Sequence, residues 1–83
     1  MQQNDKELLR EFGNHIQALR KAKGLSLNKF IFNEGFIATS TQSRIENGVG
    51  DFKFTTLVKL ANSLGITLPE LFANFDFKYE PDD

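Results

Sequence analysis

Between Asp5 and Phe72 the apolar residues recur three and four positions apart, and four of the runs they make stop at a glycine: Gly24, Gly35, Gly48 and Gly65. Such spacing puts apolar side chains on one side of a helix, and glycine just past the last turn accepts the left-handed backbone that ends one. A chain written this way folds as short packed helices, and the pattern predicts five. The first runs from about Asp5 to Lys23, capped by Asn4 or Asp5, with Leu8, Leu9, Phe12, Ile16 and Leu19 as its apolar stripe. The second is short, from Ser26 to about Asn33, with Phe30 and Ile31 inward. The third begins near Ala38 or Thr39 and stops at Asn47 and Gly48. The fourth, from about Lys53 to Leu64, shows Phe54, Leu57, Val58, Ala61 and Leu64 on one face. The fifth opens on Thr67-Leu68-Pro69-Glu70, where Thr67 and Glu70 can satisfy each other's backbone donors, and its apolar side is Leu68, Leu71, Phe72 and Phe75.

Phe75 to Tyr79 alternates apolar and charged residues, as a strand would, yet Phe72, Phe75 and Tyr79 also fit a continuing helix. Both readings stand, and a lone strand would need a partner. Residues 1–74 thus form one all-α domain, and 75–83 a C-terminal extension ending in an acidic tail.

With 83 residues there is apolar material for one core. The absence of Cys rules out disulfides, thiolate metal sites and cysteine nucleophiles. His15 is the sole histidine and has no Ser or carboxylate partner in evident reach; a surface position is its ordinary reading. There is no metal-ligand spacing and no glycine-rich phosphate loop. The expectation is a non-enzyme without cofactor, metal or small-molecule substrate. No apolar run approaches the roughly 20 residues that span a bilayer, and the N-terminus lacks the blocks of a signal peptide, so a cytoplasmic protein without a membrane partner is expected.

The net charge of −1 hides an asymmetry. Residues 6–59 carry nine Lys or Arg against five acids, whereas residues 60–83 carry one Lys against five. A basic body with an acidic tail suits a polyanionic partner only if a motif supports it.

The stretch from Gly24 to Gly48, GLSLNKFIFNEGFIATSTQSRIENG, supplies one. Two short helices around a glycine-bearing turn follow the helix-turn-helix plan, in which the second helix offers its N-terminal side chains to base edges. Thr39 to Arg44 is almost wholly hydroxyl, amide and guanidinium, the groups that bond base edges. Ser and Thr favour a helix interior poorly, so a helix made of them is costly unless its surface is used.

With LRKAKGLS before it, SRIENG closing it and TLVKLANSLGITLPELF after it, the chain resembles the Cro/C1-type (XRE-like) helix-turn-helix family of bacterial and phage regulators over about Phe12 to Phe72. The resemblance implies a five-helix lambda-repressor-like domain that regulates transcription as a homodimer on a palindromic double-stranded operator, with the third helix in the major groove. It implies base contacts from Thr39, Ser40, Ser43 and Arg44. It implies phosphate contacts from Ser26, Asn28, Asn47 and Lys53, and a structural ion pair between Arg20 and Glu46. The chain departs from the family pattern at four places. Leu27 stands where a phosphate-gripping Gln is usual, and Phe36 lengthens the turn. Phe30-Ile31-Phe32 replaces a smaller pair. Gln42 occupies a normally apolar position, so it either finds a hydrogen bond in the core or turns toward DNA as a further base contact, with Phe36 filling the vacated volume. The missing Gln, the acidic total and the phenylalanine-rich turn and tail are also what a protein-binding module on the same fold, without DNA, would show.

Overall fold

A computed structural model describes residues 4–24 and 37–79, and the described residues hold four helices and no strand. They are α1 (Asp5–Ala22), α2 (Thr39–Glu46), α3 (Phe54–Leu64) and α4 (Leu68–Phe72). The expected second helix, Ser26 to Asn33, lies outside the described residues, as do Leu27, Asn28 and Phe36. No described helix is long and apolar enough to cross a membrane.

Each helix end has a local cause. Asn4 Oδ1 accepts from Glu7 N at 3.1 Å, which caps α1, and Arg20 and Lys21 sit in its last turn against the carbonyl end of the dipole. Thr67 and Glu70 close both bonds of a capping box at the start of α4, at 3.2 and 2.8 Å. Ala38 is the N-cap of α2 and offers no side-chain bond.

Phe12, Ile16, Ile37, Ile45, Leu60, Ala61, Leu64 and Leu71 make the core. Full burial of an aliphatic side chain such as Ile16, Leu60 or Leu71 stabilises by about 1.5–3 kcal/mol. The inward face of α3 differs from the expected one. Phe54 is 67% exposed and Val58 also faces outward, while Leu60, absent from the expected stripe, is fully buried. The inward face is instead Leu60, Ala61 and Leu64, which share the core with Phe12, Ile16 and Leu71, and Leu57, which packs against it.

Two glycines are required by close approach. A Cβ on Gly13 of α1 would collide with the Ile45 carbonyl oxygen and come within 2.7 Å of Glu46 O. At Gly48, with φ 69°, a Cβ would stand 2.5 Å from Arg10 Cα. The backbone of α1 therefore touches the end of α2 with no side chain between them.

Residues 75–79 form neither strand nor helix within the single chain. Instead the rings of Phe75 and Phe77 fold back on Phe12, which gathers Phe52, Phe72, Phe75 and Phe77 at centroid distances of 5.4 to 6.2 Å. His15 belongs to the same cluster and is half-buried, not on the open surface. Its Nε2 lies 2.8 Å from Leu71 O, and since a carbonyl only accepts, Nε2 carries the proton and donates. This bond ties α1 to α4.

Candidate nucleic-acid interface

α2 has little intrinsic reason to be a helix, given TSTQSRIE as its sequence. It is held by one face. Gln42, Ile45 and Glu46 are buried, at spacings of three and four that put them on one stripe against α1. Arg20 of α1 meets Glu46 in a two-pronged pair: Nε donates to Oε2 at 2.7 Å and Nη2 to Oε1 at 2.9 Å. Gln42 Nε2 donates to the same Oε2 at 2.7 Å. Burial pushes the Glu46 carboxyl up, but the bonds from Arg20 and Gln42, the Arg20 charge and Gln17 together outweigh it and hold the group below its ordinary value. The bond to Glu46 raises the Arg20 guanidinium above its ordinary value against the opposing effect of burial.

Gln42 accordingly leaves the set of expected base contacts. It is fully buried and donates inward to Glu46, so no part of it reaches the outer face. The satisfaction is incomplete, since Gln42 Oε1 has no hydrogen-bond partner among the described residues. An orphaned buried acceptor of this kind costs about 1–3 kcal/mol.

The opposite face of α2 is polar and open. Ser40 and Arg44 are exposed, and Thr41 and Ser43 are half-buried. Thr39 opens the helix, with its side chain outside what is described. Asn47 is exposed, and its Nδ2 donates to Ser43 O at 2.8 Å and more weakly to Ser43 Oγ at 3.3 Å. That bond satisfies a carbonyl at the helix end and leaves the Ser43 hydroxyl hydrogen pointing elsewhere. Among the expected phosphate contacts, Lys53 is exposed as the N-cap residue of α3, whose first turn holds no acid, and Ser26 and Asn28 fall outside the described residues.

Arg44 lies over the loop that joins α2 to α3, with Nη2 2.9 Å from where a Cβ on Gly50 would stand. It lines a polar cleft of about 460 Å³ together with Thr55, Thr56, Lys53 and Lys59. The one acid among the described residues that line it, Asp51, has Oδ1 engaged by Phe52 N at 2.8 Å. Lys59, Thr55 and Thr56 were not singled out by the sequence. The available signal was that all three fall outside the apolar face of α3 on either reading of it. Three cations around the Thr55 and Thr56 hydroxyls form a surface suited to phosphate oxygens.

No family model matches the sequence, and no curated protein does. Solved structures do. The restriction-modification controller protein C.AhdI of Aeromonas hydrophila is 36% identical, with a TM-score of 0.68 over 77% of this chain and 96% of its own. An HTH_3 family transcriptional regulator of Vibrio cholerae is 29% identical with a TM-score of 0.75, over 87% of this chain and 40% of the longer regulator. The DNA-binding domain of BldD is 25% identical with a TM-score of 0.68, over 80% of this chain and 94% of that domain.

Proposed function

The chain belongs to the Cro/C1-type helix-turn-helix family, and on that footing we propose that it regulates transcription by binding double-stranded DNA in a sequence-specific manner. The observation that carries this reading is the two-sidedness of α2: one stripe is anchored to α1, and the other presents hydroxyls and a guanidinium to the outside. In the proposed complex α2 lies in the major groove as the third of five helices, the second being the Ser26–Asn33 segment. Thr39, Ser40 and Ser43 approach base edges, and Arg44 bonds guanine O6 and N7 through its planar fork. Lys53, Asn47, Ser26 and Asn28 take phosphates, and the cleft adds Lys59 to them. These contacts set affinity and register, while the α2 side chains set sequence.

A single reading helix covers few base pairs, so the active species is a homodimer on a palindrome, with half-sites about 34 Å apart. Phe77 and Tyr79, 53% and 51% exposed, give the extension an apolar surface that a second copy can cover. Selection of bound DNA from a random library, followed by titration at several salt concentrations, tests the proposal. A symmetric consensus is expected, bound with a log–log salt slope near 0.9 per phosphate neutralised. No enriched sequence and a flat salt response would instead favour a protein-binding module.

A further inference from the structure

Among the described side chains of α2, three are buried: Gln42, Ile45 and Glu46. Ile45 holds by dispersion, which is non-directional and tolerates rotation of the helix about its axis. Direction comes from Glu46, whose two oxygens both face Arg20 of α1. The contact of Gly13 with the Ile45 and Glu46 carbonyls sets how near α1 and α2 come, but a point of approach does not set roll. Roll depends on the plane of the Glu46 carboxylate, and Gln42 fixes that plane from within α2 by donating to Oε2 at 2.7 Å. Its own Oε1 is left without a partner among the described residues, a cost that an apolar side chain of similar volume would avoid. Filling the core thus does not account for an amide here.

We propose that Gln42 is a positioning residue for base recognition: it buttresses Glu46, sets the roll of α2, and so aims Ser40, Ser43 and Arg44. The proposal rests on the DNA-binding reading above. Side-chain tips stand about 5–6 Å from a helix axis, so a roll of about 10° displaces them by about 1 Å. That shift takes a hydrogen bond from good geometry to none. Phosphate contacts from Lys53 and Lys59 on α3 are unaffected.

The test compares wild type with Q42L and Q42M, two apolar replacements of similar size, on the sequence that wild type selects from a random library and on scrambled DNA. The expected result is an unchanged or higher thermal midpoint and scrambled-DNA affinity within about twofold. Affinity for the selected sequence should fall about tenfold, the scale of one good base contact, at an unchanged salt slope. If either folded variant keeps the wild-type ratio of the two affinities, or loses both in step, Gln42 only fills space and the proposal is overturned while DNA binding stands. If wild type itself prefers no sequence, the DNA-binding reading fails and takes this proposal with it.

Discussion

Replacing Glu46 with Ala should damage the fold far more than any change on the outer face of α2. The side chains of Arg20 and Glu46 are 7% and 4% exposed, so the pair is screened little by solvent. Removing the carboxylate deprives the guanidinium of two bonds and the Gln42 amide of its acceptor. Breaking a buried pair from one side costs about 3–5 kcal/mol, and the stranded amide adds to that only partly, because the two losses share one cavity that water can enter. About 3–5 kcal/mol is a large share of the roughly 5–15 kcal/mol that stabilises a domain. Each kcal/mol lowers the midpoint of so small a domain by about 4–8 °C, so E46A should melt at least about 12 °C below wild type by circular dichroism. The control is E46L combined with R20M, which removes both charges and should recover much of the loss. A decrease under about 1 kcal/mol for E46A, the level of a surface pair, would refute the reasoning.

Arg44→Ala should relax discrimination at one base pair by about 1–3 kcal/mol in competition binding, with the melting midpoint nearly unchanged because the side chain is exposed. Gly13→Ala would add up to about 1 kcal/mol at an ordinary helix position; here the Cβ meets the Ile45 and Glu46 carbonyls, so urea denaturation should show a loss of about 3 kcal/mol or more. Truncation after Asn74 removes two rings from around Phe12, each such pair worth about 0.5–1.5 kcal/mol; sedimentation should also shift toward monomer, and an unchanged dimer would place the interface elsewhere. Since Glu46 titrates below its ordinary value near 4.5, its stabilisation is complete above that pH and lost as pH falls through the depressed value, which a urea midpoint followed from about pH 6 to pH 3 should register.

Helix ends were legible in the sequence because their causes are local. Asn4, Thr67 with Glu70, and the residues before Gly24, Gly48 and Gly65 act on backbone groups within four positions of themselves. Faces were less so. In α3 both Phe54-Leu57-Val58-Ala61-Leu64 and Leu57-Leu60-Ala61-Leu64 satisfy the same spacing, and only the surface opposite decides between them. Gln42 was ambiguous for a similar reason. An amide at an apolar position is expelled or satisfied according to whether a charged neighbour lies inside, and its neighbour is a carboxylate already committed to α1. His15 carried no signal at all, since its acceptor is 56 residues away. The aromatic fold-back of the extension was hidden by a strand-like alternation whose rings find Phe12 instead of a second strand.

On the proposed DNA-binding function, the bare backbone contact at Gly13 also limits how the protein can accommodate different target sites. With no side chain to compress at that point of contact, α1 and the end of α2 yaw together or stay still. Adjustment to an imperfect target then falls on the duplex, through kinks, groove width and twist, so stiff and pliable sites of equal base content should be bound unequally.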